Sequence, residues 1–288
     1  MTRRAWLLFI LSSVIWGLPY LFIKIAVDAG IAPAFIAWSR IALAAALLLP
    51  LAIQRKVLQG LRERTAAIIG YTACEVAVPF ILISIGEQYI TSSLTAILVA
   101  TMPLMVALLS LRLIPGEHLS GKRLIGLLIG FAGVVALLGF DVAGRATELL
   151  GAALVLVATL GYAIAPIIVS RRLSDLDPLG PVTASLLIAT VALLPPAIAT
   201  FPGQLPSVSA LIAIAVLGII CTAAGLLAFF RLIAEAGPSR ASVITYVNPL
   251  VAVVVGVLAL GERLSLVSVA GLGLILVGSW VSTGGSHP

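Results

Sequence analysis

Charge is what this chain has least of. Only 10% of its 288 residues are Asp, Glu, Lys or Arg, 61% are hydrophobic, and the mean hydropathy is +1.24. A soluble domain carries about 25% charged residues, so a water-soluble fold is excluded and a polytopic membrane protein is implied. Histidine is nearly missing too: His118 and His287 are the only two, and neither falls in an apolar stretch. There is no HExxH and no paired Asp, so a membrane-embedded enzyme with catalytic residues or a bound metal has nothing to stand on. No GxxxxGK[ST] loop occurs, which excludes ATP-driven transport within this chain. No cofactor motif is present. Cysteine is confined to Cys74 and Cys221, 147 residues apart in separate apolar stretches. That spacing gives neither a metal site nor a disulfide framework, and both read as small buried apolar residues.

What is present is apolar sequence in span-length pieces. A bilayer-crossing helix needs roughly 20 mostly apolar residues. Ten such pieces fit, at about 5–24, 33–53, 65–85, 92–112, 122–140, 149–170, 180–200, 208–231, 239–260 and 264–282. The first carries Trp16, Pro19 and Tyr20, exceeds a signal-peptide core in length and is followed by others, so it reads as a span rather than a cleaved leader. The polar end 283–288 is expected to be a disordered tail.

The net charge of +6 invites a nucleic-acid reading, but its placement argues otherwise. With the N-terminus inside, 13 basic residues fall in cytoplasmic segments: Arg3, Arg4, Arg55, Lys56, Arg62, Arg64, Arg112, Lys122, Arg123, Arg171, Arg172, Arg231 and Arg240. Lys24, Arg145 and Arg263 fall outside, and Arg40 lies within the second span. This bias puts both termini in the cytoplasm.

The sequence also repeats. Ser92–Ser120 and Pro238–Ser265 share one plan: an apolar helix with a proline at Pro103 or Pro249, then a turn with Glu117 or Glu262 before Leu-Ser. The expected units are 1–141 and 149–282. Five spans per unit is an odd number, so the second unit enters the membrane from the opposite side. The resulting inverted repeat is an architecture of secondary transporters with a midplane site. A non-transporting scaffold gains nothing from two exchangeable halves.

The two Pro helices, the Gly116-Glu117 and Gly261-Glu262-Arg263 turns, Trp16-Gly17 and Arg40 together resemble the drug/metabolite transporter superfamily. Within it, the chain resembles the EamA group and aromatic amino acid exporters of the YddG type. The turn at His118 departs from the Gly-Glu-Arg pattern of the group. The resemblance implies an all-α basket of ten transmembrane helices, two inverted five-helix repeats around a central cavity open to one side at a time. It implies export of small metabolites across the inner membrane, amino acids first, with multidrug, nucleoside or purine export as the alternative.

Several residues stand out as cavity candidates. Glu75 is the one acid near the middle of a span, where a charge costs a few kcal/mol and usually faces the bundle interior. It reads either as a proton carrier or ammonium anchor, or as a neutral carboxyl bonded to a neighbouring helix. Arg40 either binds a substrate carboxylate or pairs internally. Trp16, Tyr20, Trp38, Tyr71, Tyr162 and Tyr246 offer apolar bodies with polar tips, against the plainer alternative of packing. Asn248 flanks the Pro249 bend, and Pro79 lies beside Glu75. Pro19, Pro103, Pro166 and Pro249 free backbone carbonyls and are expected to act as kinks or hinges. Gly126, Gly130, Gly133, Gly271, Gly273 and Gly278 read as close-packing positions. Lys24, Glu87, Arg112 and Arg231, at span ends, read as snorkelling side chains. The expected partners are a small-molecule substrate, lipid and, for coupling, protons, with no nucleic acid; the protein is expected to act as a monomer or weak homodimer.

Overall fold

The computed structural model describes residues 2–113, 120–141, 145–236, 241 and 243–283. Among the described residues, eight helices are long and apolar enough to cross a membrane: α1 Arg3–Asp28, α2 Pro33–Gln54, α3 Leu61–Gly86, α4 Ser92–Leu109, α5 Gly121–Gly139, α6 Ala146–Arg172, α7 Leu179–Ala199 and α8 Val208–Ala236. Two shorter apolar helices follow, α9 Ile244–Leu260 and α10 Leu266–Ser282. No strand occurs among the described residues. Glu117 and His118, and residues 284–288 of the expected tail, lie outside the described residues; Thr283 closes the last helix.

Local chemistry starts these helices where the sequence has hydroxyls. Thr2, Thr91, Ser120 and Ser207 each accept a hydrogen bond from the backbone three residues on, satisfying a donor that the first turn leaves open. Pro33 opens α2, where a missing N–H costs nothing. Inside the bundle, buried hydroxyls bond back to the preceding turn, as Ser84 does to Phe80 O and Thr159 to Val155 O. Ser84 and Thr159 thus enter an apolar interior without an unmet donor, whereas the buried hydroxyls of Ser12, Ser13, Thr183 and Ser185 have no partner. Leu128, Val135, Val191, Ile198 and Leu258 face outward and are more than half exposed, the opposite of a soluble core.

The helices of the two halves pack on each other in a reciprocal pattern. α3 packs on α6 and α8 on α1; α4 packs on α6 and α9 on α1; α2 packs on α8 and α7 on α3. The pairs α2–α7, α4–α9 and α5–α10 join corresponding helices directly. The α5–α10 seam is made by small residues. A Cβ on Gly278 would lie 2.4 Å from Gly130 N, and one on Gly126 2.4 Å from Ser282 N. Gly133 and Gly271 are as tightly placed, while Gly273, expected in the same role, has nothing within reach. Close backbone approach of this kind drives helix association in lipid.

Three stretches depart from α-helix into wider π-turns: Thr72–Ala77 within α3, Leu137–Asp141 at the end of α5, and Val216–Ala224 within α8. Those in α3 and α8 contain Cys74 and Cys221 and so occupy matching places in the two halves. A π-turn leaves carbonyls under-used and is frequent at functional sites.

The prolines divide into two kinds. Pro19 follows a break at Leu18 in α1, and Pro103 follows a break at Ala100–Thr101 in α4. Pro166 and Pro249 sit inside continuous helix. The repeat partners Pro103 and Pro249 therefore differ in local structure despite matching in sequence.

Candidate functional site

The interior polar site is built around α2. Trp38 and Arg40, two residues apart, both reach into the second half. Trp38 Nε1 donates to Thr190 O on α7 at 3.0 Å, a closed bond that makes it an anchor between α2 and α7. Arg40 is only 4% exposed. Its Nη2 donates to Thr222 Oγ1 in the α8 π-turn at 3.1 Å, and its guanidinium lies 4.0 Å above the Phe80 ring. Thr222 Oγ1 in turn donates to Leu217 O, five residues back, at 2.8 Å, so the widened turn sets the hydroxyl that receives Arg40. Arg40 Nε has no hydrogen-bond partner, and no carboxylate forms an ion pair with this guanidinium among the described residues. A buried cation with an unused donor is poised for an anion, because leaving that donor unmet costs about 1–3 kcal/mol.

Glu75 occupies the matching π-turn in α3. It is half-buried and makes no hydrogen bond to a described residue. Tyr71, Cys74 and Tyr162 lie within its electrostatic reach. Tyr162, on α6, is also within electrostatic reach of Arg40 and Tyr20. Glu75, Tyr162, Tyr20 and Arg40 thus share one polar neighbourhood in an otherwise apolar interior.

The remaining candidates are placed less centrally. Trp16 stacks on Phe229 at 4.7 Å across Gly225, where a Cβ would lie 2.6 Å from the indole nitrogen; its role there is packing of α1 on α8. Tyr71 packs between two apolar clusters. Buried Pro79 abuts Gly161 of α6. Tyr246 is half-buried on α9. Asn248, with its amide nitrogen turned to both carbonyls, donates to Ile244 O at 2.9 Å and Ser13 O at 3.2 Å, tying α9 to α1. Two surface grooves, of about 330 and 200 Å³, are lined by Ala66, Gly70, Ile168 and neighbours and by Ile97, Leu250, Leu272 and neighbours. Neither involves the residues expected to line a central cavity. Among the described residues no group of three His, Cys, Asp or Glu could hold a metal ion.

The structure corrects the reading of Glu87. It does not snorkel: it is fully buried at the end of α3, and neither carboxyl oxygen has a hydrogen-bond partner. Lys24, expected to reach for solvent, instead gives its ammonium to Glu87 O at 3.0 Å and to Asp28 at 2.9 Å. Burial pushes the Glu87 carboxyl well above the usual carboxylate range; Lys24 opposes the rise, and Glu262 and Asp28 add to it. Arg112 and Arg231 are exposed at helix ends, in keeping with snorkelling. Sequence reasoning also passed over Phe80 and Thr222 as site residues; both are far from Arg40 in sequence, and only the packing of α2 on α3 and α8 brings them to it.

The repeated Glu turn has a definite job. Gly261, in the left-handed region at φ +66°, ends α9 and turns the chain so that Glu262 folds back. Glu262 Oε1 accepts from Ser92 N at 2.8 Å and Ser92 Oγ at 2.9 Å; Oε2 accepts from Ser93 N at 2.9 Å and from Ser93 Oγ. A carboxylate of the second half thus caps the start of α4 in the first, where open N–H groups favour negative charge.

Comparison with known proteins fits this architecture. The EamA-like transporter family model matches residues 3–139 and again 149–284. The chain belongs to the EamA-like transporter family. Relatives share its full length: an uncharacterized transporter of Archaeoglobus fulgidus is 28% identical over 281 residues, covering 96% of this chain and 98% of that one. The uncharacterized inner membrane transporter YedA of Escherichia coli is 30% identical over 270 residues, 91% and 85% of the two chains. The uncharacterized transporter YvbV of Bacillus subtilis is 27% identical over 280 residues, 96% and 90%. A solved crystal structure matches with a TM-score of 0.69 at 19% identity over 100% of this chain and 99% of that chain, which shows a shared fold. This EamA-like protein is therefore a multi-pass membrane transporter, and family and relatives are named for transport rather than catalysis.

Proposed function

We propose that this transporter is a secondary exporter of small metabolites, amino acids and among them aromatic ones first, across the inner membrane. Its ten apolar helices form two inverted five-helix units, 1–141 and 149–282, that rock about a midplane site. The reciprocal packing of matching helices supports that symmetry. Two oppositely directed halves have two arrangements of similar energy, and exchanging them moves the opening from one face to the other. The tight α5–α10 glycine seam is filled within one chain and supports a monomer as the working unit.

The observation that carries the substrate class is Arg40: buried, unpaired with any acid among the described residues, with a free Nε and an aromatic ring beneath it. It is placed to receive a carboxylate. Phe80 offers an aromatic face beneath it, Tyr20 and Tyr162 lie within its electrostatic reach, and Glu75 on the matching turn is the group we assign to a substrate ammonium. An aromatic amino acid presents all three features together.

Counterflow in proteoliposomes with matched ligands tests this. Aromatic amino acids should drive exchange, whereas the corresponding amines without the carboxylate should not. Exchange driven by the amines, nucleosides or cationic dyes alone would overturn the amino acid reading and favour a multidrug or nucleoside exporter.

A further inference from the structure

Glu87 is the one acid among the described residues that is fully buried with no partner for either carboxyl oxygen. Its surroundings explain why none is available. On α1, the Lys24 ammonium is spent on the Glu87 backbone carbonyl and on Asp28. After α9, Glu262 takes both N–H groups and both hydroxyls of Ser92 and Ser93, the donors at the start of α4. Tyr20 on α1 and Arg40 on α2 act on Glu87 only from a distance. On α6 the nearest charges in sequence, Arg145 and Glu148, are bonded to each other at 2.8 Å. Glu87 is therefore buried without a donor, five residues before the Ser92 that holds Glu262, and the Glu262 carboxylate opposes its ionisation.

An ionised carboxyl there has no donor and a like charge nearby, and water entering the seam is what would relieve it. A neutral carboxyl pays neither penalty. The seam in question joins the start of α4 to the end of α9, and Glu262 is the bond that closes it. The charge count assigns this end of the bundle to the outside.

We propose that Glu87 is a proton-binding site controlling the α4–α9 seam: its neutral form keeps Glu262 on Ser92 and Ser93, and its ionised form releases them. The ligand is the proton itself, supplied from the outer face. The joined seam is fully favoured on the acid side and loses ground as pH rises through the raised range of Glu87. The linkage of proton to seam does not rest on the transport reading.

Amide hydrogen exchange of the full-length protein in lipid nanodiscs tests it, read on the segment Ser92–Val99 for wild type and Glu87→Gln at the same pH. Taking the ratio of the two at each pH removes the intrinsic pH dependence of exchange. The two should exchange alike on the acid side, with wild type the faster at higher pH by up to one factor of ten per unit of pH above the transition, until it saturates. A ratio that does not change with pH overturns the proposal. Infrared difference spectra of wild type alone give a second reading: the band of a neutral buried carboxyl should disappear on raising pH, and its absence at low pH also overturns the proposal. Neither measurement uses a substrate, so failure here leaves the export reading standing, and failure of counterflow leaves this one standing.

Discussion

The π-turn of α3 and the π-turn of α8 hold matching places in the two halves, yet they carry opposite chemistry. The α3 turn presents Glu75, an acid with no hydrogen bond to a described residue. The α8 turn presents Thr222, whose hydroxyl accepts from Arg40 of α2 and donates to Leu217 O. Each turn is also approached closely by neighbouring backbone. A Cβ on Gly161 of α6 would lie 2.6 Å from Cys74 O in the first, and a Cβ on Gly218 in the second would lie 3.0 Å from Arg40 O. The frame is duplicated, whereas the charged groups are not. A symmetric fold with an asymmetric site can offer an acid to one end of a zwitterion and a base to the other, while both halves keep the same hinge-like turns.

The largest effect should come from removing the base. Arg40→Leu deletes the only buried cation of the site, and loss of a charged bond of this kind costs roughly 2–4 kcal/mol, a rise of about thirtyfold to several hundredfold in apparent KM. Arg40→Lys should recover part of that loss in the same counterflow assay; equal behaviour of both variants and wild type would remove Arg40 from substrate binding. Removing the acid should act differently. Glu75→Gln should abolish flux driven by a pH gradient while leaving the helical content and the thermal midpoint near wild type. Undiminished gradient-driven flux would take Glu75 out of coupling and leave the two turns functionally alike.

Smaller changes sharpen the comparison. Gly161→Ala pushes a methyl onto the Cys74 carbonyl, backbone that cannot swing away, and should cost about 1–3 kcal/mol. That is seen as a fall of several degrees in thermal midpoint, and an unchanged midpoint would mean that the α3 turn yields freely. Thr222→Val removes the hydroxyl that Arg40 grips and should cost about 1 kcal/mol, a fewfold loss in substrate affinity without loss of folding. An affinity unaltered by Thr222→Val would mean that Phe80 alone orients the guanidinium.

Much of the frame was legible in the chain. Hydropathy and charge placement mark the apolar helices, and the two family matches fall on the two halves that the proline and Glu turns delimit. Arg40 and Glu75 stood out because an ionisable side chain within an apolar run is costly wherever the run packs. Glu87 did not stand out, since one residue beyond a span looks like a place to meet water. It is fully buried, and Lys24 of α1 closes on its backbone carbonyl, a contact between residues far apart in sequence. Pro103 and Pro249 make the same point: aligned letters, but a broken helix in one half and a continuous one in the other.

By itself, then, the sequence determined what depends on composition and period: a membrane-embedded, all-helical, duplicated chain, with two ionisable side chains, Arg40 and Glu75, inside apolar stretches. Only the tertiary structure decided which groups meet. It set Arg40 on Thr222 and Phe80, Glu262 on Ser92 and Ser93, and Glu87 where no donor reaches it. The physical reason is that the apolar pattern fixes how each helix sits against lipid, whereas a hydrogen bond or a dry carboxyl depends on a partner helix placed to within about 3 Å. No local pattern encodes that distance.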